Sequence, residues 1–353
     1  MNFRKLSLLS FISIALFSCE TKEAEPAQPY DTGVFVINNG NFFDNNGSVS
    51  LIKRDSTKAV IDIFQKENSR TIAGGIIDYA VIDNKGLILV DNSTDGQDAI
   101  EIVNARTFKS EGRIKEVENP RNAIKVAANK AYVVCWDVLN ADYSYKPGYI
   151  AVIDLLTNKV TKKITVQNGA EGIVVVGNEA FVGNNAYSGK SEISVIDISK
   201  DEVLSKITLK GGTANLIVDA NNKIWCSVSK EFLRINPATK AIEATISTET
   251  ATDKVPGMLA LNANKTTIYF DYSHWSTGGE IYSFNITDAT ISTTTPLIKR
   301  TFSALGFDAK EGIIYTGVTP SYKQAGYVFR YRPTGVLIDS VKAEIAPIKF
   351  VFK

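Results

Sequence analysis

The feature that most constrains this chain is a strand signature that returns at intervals of about 45 residues. It is clearest in Ile150-Ala-Val-Ile-Asp154, Ile193-Ser-Val-Ile-Asp197, Phe232-Leu-Arg-Ile-Asn236 and Ile281-Tyr-Ser-Phe-Asn285. Ile100-Glu-Ile-Val-Asn104 and Val328-Phe-Arg-Tyr-Arg332 match it more loosely. The terminal residues of these segments lie 50, 43, 39, 49 and 47 residues apart. Such a period marks a repeat architecture, in which each unit buries its apolar surface only against its neighbours.

Within each unit the order of signals is constant. A strand ending in Asp or Asn leads to a polar turn (156–159, 238–240) and then to a strand such as 160–166. A bend with Gly or Pro opens an apolar run (172–176, 215–218), followed by an Asn/Gly turn (177–178, 221–222) and a strand bearing an aromatic residue, Phe181 or Trp225. Four short strands per unit, with turn chemistry at each corner, predict antiparallel blades set radially as a β-propeller. The units run near 47–97, 98–148, 149–190, 191–230, 231–279, 280–325 and from Gly326 onward. The last lacks a strand of the Phe181 type, and one stands orphaned at the other end of the domain, Gly33-Val-Phe-Val-Ile-Asn38. The expected fold is therefore all-β, a seven-bladed propeller closed by pairing of the N- and C-terminal strands, which removes the edge an open ring would expose.

The first residues read differently. Arg4 and Lys5 precede an uncharged apolar run over 6–17 that ends in Ser18-Cys19. About a dozen apolar residues are too few to span a bilayer core of roughly 30 Å, so the run reads as a targeting signal. Leu16-Phe17-Ser18-Cys19 resembles the cleavage motif of bacterial lipoproteins, with Phe17 where a small residue is usual. That resemblance implies a signal peptide over 1–18, a lipidated Cys19 with a flexible tether over 19–32, and a propeller over 33–353. The stretch 20–29 carries three glutamates, two prolines and no large apolar residue, too little to offset the entropy of ordering. Acidic residues at this place accompany surface export in such lipoproteins, which implies a lipid-anchored protein of the outer membrane, exposed on the cell surface.

The chain carries 39 basic and 38 acidic side chains with no basic block, so it offers no footprint to a phosphate backbone, and nucleic acid is not an expected partner. Catalytic constellations are equally thin. His274 is the only histidine, which removes histidine metal clusters and paired-histidine acid/base chemistry. Cys135 and Cys226 fall in apolar strands of different units and read as buried thiols, neither a disulfide nor zinc ligands. Asp154 and Asp197 recur at equivalent strand ends, which argues for turn capping over paired-carboxylate hydrolysis. With no convincing helix, there is no glycine-rich loop opening one, and common nucleotide sites are disfavoured. The expectation is a binding protein, not an enzyme, without resident cofactor or metal.

Irregularity concentrates in the loop after each aromatic strand, at 38–46, 91–97, 136–148, 184–190, 271–279 and 319–325. In an up-and-down blade this loop opens on the same face as the connection to the next blade (71–75, 119–122, 167–171, 210–213, 255–258, 302–306). Variable loops on a rigid scaffold are where binding resides. An aromatic side chain there has less core to join than one in a strand, so Phe42, Trp136, Tyr143, Tyr145, Tyr187, Tyr272, Trp275 and Tyr322 are candidates for a ligand platform. The alternative is that several fold down to cap the blades. His274 beside Trp275 is a candidate ligand contact, and Arg121 at the channel rim a candidate partner for an anionic group.

The strands resemble the YVTN-repeat propeller family, as in Ala180-Phe-Val-Gly-Asn184 followed by Ile193-Ser-Val-Ile-Asp197, across residues 33–353. The likeness speaks to architecture and little to activity, since propellers carry many unrelated functions. Gly33-Val-Phe-Val-Ile-Asn-Asn-Gly-Asn-Phe42, then Asn46-Gly-Ser-Val-Ser50, is similar to the opening of propeller lipoproteins from gut-type Gram-negative bacteria, with Asn39 where an acidic residue is usual. That resemblance implies surface capture of cobalamin or a related corrinoid and delivery to a TonB-dependent outer-membrane transporter. A protein-interaction scaffold of an outer-membrane complex is the alternative, and a propeller lyase or hydrolase built on His274 a third reading.

Overall fold

A strand that is apolar at every position needs protein on both its faces. Val34–Asn38 and Ile224–Val228 are of this kind, buried from end to end. In the computed structural model, which describes residues 26–248 and 252–353, such strands are second from the centre in blades of a ring. Seven antiparallel sheets follow one another. The second blade, for example, runs outward through Gly75–Ile82, Lys85–Asp91, Ala99–Asn104 and Ser110–Ile114. The third runs through Pro120–Ala127, Lys130–Cys135, Pro147–Asp154 and Lys159–Asn168.

Closure is as expected. Pro347–Phe352 is the innermost strand of the first blade and pairs with Val34–Asn38, Val36 facing Phe350 and Val34 facing Phe352. Outer strands show the opposite pattern to second strands. In Lys159–Asn168 the side chains alternate between solvent and Ile164 or Val166. The sixth blade has three regular strands, and in place of a fourth the chain bridges Ile281 to Ile298.

The core is seven clusters, each shared by two neighbouring blades. Leu87, Leu89, Ile100 and Ile102 of the second blade meet Val133, Cys135, Ala151 and Ile153 of the third. The cluster at the seam joins Val34, Val36 and Phe350 to Tyr315, Val328 and Val341. Each buried side chain of this size contributes roughly 1.5–3 kcal/mol, so a missing seam cluster would weaken the whole ring. Cys135 and Cys226 are free, buried thiols, as their strands imply.

The turns are held as the repeat suggests. Asp154 accepts hydrogen bonds from the Leu156 N–H (2.8 Å) and the Thr157 hydroxyl (2.9 Å). Asp197 does the same for Ser199 (2.9 and 2.6 Å), and Asn236 accepts from the Ala238 N–H at 3.0 Å. Among the described residues one helix departs from the expectation of none: Ile63–Asn68, capped by Asp62, whose side chain accepts from the Gln65 N–H at 3.0 Å. It buries Ile63 and Phe64 between the first two blades. Six residues with only two apolar contacts carry no periodic signal, so sequence alone does not reveal it.

Lipidation of Cys19 and residues 19–25 of the expected tether lie outside the described residues. Tyr30 and Asp31, read from sequence as tether, are fixed to the ring. Tyr30 is 1% exposed, with its ring 5.4 Å from that of Phe108 and its hydroxyl donating to Glu67 at 2.7 Å. Asp31 accepts two bonds from Arg106 (2.9 and 3.0 Å), and this pairing holds its carboxyl down at about 2. Lys353 Nζ donates to the Tyr30 carbonyl at 2.7 Å. These contacts sit beside the third-to-fourth strand turn of the second blade, on the face opposite the long loops.

Candidate functional site

Because successive strands run antiparallel, every second-to-third strand loop and every blade-to-blade connection reaches one face. Hydrogen bonds tie several of the loops there to one another. Asn45 exchanges two hydrogen bonds with Ser93 (2.8 and 2.9 Å), joining the first and second blades. Asn41 Nδ2 donates to the Tyr322 carbonyl at 3.0 Å, joining the first and seventh. Asn168 Nδ2 donates to the Tyr145 carbonyl at 2.6 Å within the third blade, and the Asn185 N–H donates to the Gly169 carbonyl at 2.7 Å, tying the fourth blade to the connection from the third. Gly169 sits at φ +61°, where a side chain would run into Ser188 and Tyr145.

On this rim the candidate aromatics divide into three groups. Phe42, Tyr143, Tyr187, Trp275 and Tyr322 stand out into solvent, Trp275 at 91% and Tyr187 at 89% exposure. Trp136 and Tyr145 are half-buried and pack edge to face, ring centres 5.0 Å apart and planes at 89°. Tyr272 is core. It is 2% exposed, packed between the fifth and sixth blades, with its hydroxyl 3.1 Å from that of Thr252. Its place in Thr267–His274 explains this, since the strand runs four residues into the segment read from sequence as the 271–279 loop and keeps Tyr272 inside the sheet.

His274, the last residue of that strand, is half-buried, with Nδ1 3.0 Å from the Ser276 hydroxyl and its ring beside Trp275. Asp271, three residues earlier in the same strand, accepts from the Met258 N–H and the Ser273 hydroxyl, and burial pushes its carboxyl up. Arg121, expected to meet an anionic group, meets one within the chain. Its guanidinium pairs with Asp91, its Nε donates to the Asn119 carbonyl at 3.2 Å, and it lies 3.9 Å over the Trp136 ring. Only 9% of its side chain remains exposed.

Beside Arg121 and Trp136 is Glu171, whose carboxyl is pushed up chiefly by burial, against the pull of the Arg121 charge. Its Oε2 and the Trp136 Nε1 are both shut away from solvent without a hydrogen bond of good geometry. Lower in the channel Lys349 reaches Asp78 at 2.7 Å, joining inner strands of the first two blades.

A recess on the loop face lies between the first three blades, a cleft of about 530 Å³. Phe42, Phe43 and Tyr143 wall it, Leu139 and Ala141 add apolar surface, and Asp91, Asp95, Asp98 and Glu118 line its floor and side. Asp98 organises this region: it accepts the Asn92 N–H at 2.5 Å and the Asn119 N–H at 2.6 Å, fixing two loops at once. Burial, opposed by those bonds and aided by the Asp91 and Glu118 charges, pushes its carboxyl up to about 7. Glu118 accepts the Gly96 N–H at 2.8 Å, and its carboxyl is likewise pushed up, first by burial and then by Asp95, Asp137 and Asp91. Sequence reasoning passed over these carboxylates and Phe43, because three of the acids come from one short loop and the fourth from the next connection. The cue was the acidic loop 91–98 itself.

Comparison with known proteins bears on the fold. The family model described as Domain of unknown function (DUF5074) matches residues 32–329. No curated protein sequence matches. Among solved structures, a quinonprotein alcohol dehydrogenase-like protein from Bacteroides thetaiotaomicron VPI-5482 superimposes with a TM-score of 0.68 at 15% identity, covering 92% of this chain and 78% of its own. A functionally unknown protein from Desulfotomaculum acetoxidans gives 0.66 at 12%, covering 91% and 98%. A putative 6-phosphogluconolactonase from Bacteroides fragilis NCTC 9343 gives 0.61 at 10%, covering 93% and 100%. Likeness at such identity establishes a shared architecture and carries no activity with it.

Proposed function

We propose that this chain, which belongs to the DUF5074 family, works by capturing a ligand on its loop face, and that the ligand is cobalamin or a related corrinoid destined for a TonB-dependent transporter. The observation that carries the reading is the set of six exposed aromatics, Phe42, Phe43, Tyr143, Tyr187, Trp275 and Tyr322, held out from loops of one rim. Large exposed aromatics on a monomeric surface cost solubility and mark contact sites. Spread over several blades and interleaved with Asn and Ser, they suit a broad, flat ligand gripped by apolar contact and neutral hydrogen bonds. Such a ligand needs binding and release, with no group positioned to react. A lipid anchor at Cys19 would keep the module at the outer-membrane surface beside its transporter.

The test is calorimetric titration of the purified protein with cyanocobalamin and with cobinamide. Saturable binding that weakens in Tyr187→Ala and Trp275→Ala supports capture. No heat with either corrinoid, together with recovery of an outer-membrane transporter in pull-downs without ligand, would replace it with the scaffold reading.

A further inference from the structure

We infer that the cleft between the first three blades is a subsite for an organic cation, an ammonium-type group carried on an apolar body. The inference rests on reading the loop face as a ligand-binding face, and it adds the charge of what enters.

The walls come first. Phe42 and Phe43 meet edge to face with ring centres 5.4 Å apart, and Phe43 and Tyr143 are each 83% exposed. Tyr143 sits at φ +62°, and a hydrogen bond from its N–H to the Asn140 carbonyl at 2.8 Å braces the loop tip. A strained tip that shows an aromatic ring to solvent forgoes burial, which a guest in the cleft would restore.

Charge complementarity decides what kind of guest. Four carboxylates line the cleft and no Lys or Arg does. The nearest cation, Arg121, is committed to Asp91 and lies flat on Trp136. Among the described residues Asp95 has neither a hydrogen bond nor an ion pair, so its charge faces the cleft mouth without a counter-ion. Burial is the main cause that pushes the Asp98 and Glu118 carboxyls up, and neighbouring carboxylates add to it, Asp91 and Glu118 at the first and Asp95, Asp137 and Asp91 at the second. An anion or a zwitterion led by its carboxylate would be repelled from this cleft.

A bare metal ion fits less well than an organic one. Among the described residues no three carboxylate, thiol or imidazole groups converge as a metal would need. Asp98 already spends both oxygens on backbone N–H groups, and Glu118 one of its two. What remains is the charge of Asp95 and Glu118 beside the exposed rings of Phe42, Phe43 and Tyr143, whose quadrupole attracts a cation while their area takes up its apolar body.

Choline and its uncharged carbon isostere 3,3-dimethylbutan-1-ol separate the two contributions, each titrated into the full chain by calorimetry. Choline is expected to saturate, to bind at least about tenfold tighter than the isostere, and to weaken as sodium chloride rises. Asp95→Asn and Tyr143→Ala, both at exposed positions, are each expected to weaken choline about three- to tenfold with the melting temperature unchanged. Equal binding of the isostere, absence of saturable choline binding, salt-independent binding, or displacement of choline by calcium at equal concentration would each overturn the subsite. Cyanocobalamin titrated in parallel keeps the two readings apart: choline without corrinoid binding removes the corrinoid and leaves the cation subsite, and corrinoid without choline binding does the reverse.

Discussion

The Arg121 guanidinium lies 3.9 Å over the Trp136 indole while it holds the Asp91 carboxylate. These three residues come from two adjacent blades, so one side chain joins the second-strand ends of both and fixes the root of the 136–148 loop. Trp136 in turn braces Tyr145, and the same loop carries Tyr143 to the cleft.

Removing that side chain strands a nearly buried carboxylate. Arg121→Ala is expected to cost about 3 kcal/mol by urea unfolding, and the double variant with Asp91→Asn to recover much of it. Additive losses would show that the pair is not coupled.

The exposed and buried aromatics should behave oppositely. Tyr187→Ala and Trp275→Ala, both close to fully exposed, are expected to leave stability within about 0.5 kcal/mol while weakening the captured ligand about tenfold or more. Tyr272→Ala, buried in the fifth-to-sixth cluster, is expected to cost about 3 to 5 kcal/mol. Thermal melts alongside titrations read both quantities.

Asp98 gives a pH dependence with a definite sign. Its folded carboxyl titrates at about 7, above the ordinary carboxylate range. The folded chain therefore holds a proton that the unfolded chain has lost, and this group's contribution to stability falls as pH rises from about 4 to about 7. Asp98→Asn keeps the shape and removes the titration, so urea midpoints across that range should slope less in the variant. An unchanged slope would assign the dependence elsewhere.

Burial pushes the Cys135 and Cys226 thiols up to about 12, so neither should react with Ellman's reagent in the folded state. In a Cys19→Ser chain the expected result is no reaction until denaturant is added, then two thiols.

Phe350 tests the seam. It sits in the cluster shared by the first and seventh blades and pairs with Val36 across the junction of the chain ends. Phe350→Ala is expected to cost about 3 to 5 kcal/mol and to lower the cooperativity of unfolding, since the ring opens where no covalent link crosses it.

The sequence by itself determined the blade count, the turn caps at Asp154 and Asp197, and the closure through residues 33–38. Each is a local pattern, a period-two strand or a two-residue cap, repeated often enough to be read without knowing any distance. It also placed the aromatic loops on one face, because strand direction alternates by necessity. Tertiary structure decided which of those loop residues face solvent. Tyr272 and Trp275 stand three apart in one segment, yet the first is sealed between blades and the second is almost fully exposed, a difference set by where the strand ends against its neighbours. Arg121 finding Asp91, and four carboxylates meeting three aromatic rings in one cleft, depend on blades packing at fixed angles, and residues so far apart in the chain meet only once the ring has closed.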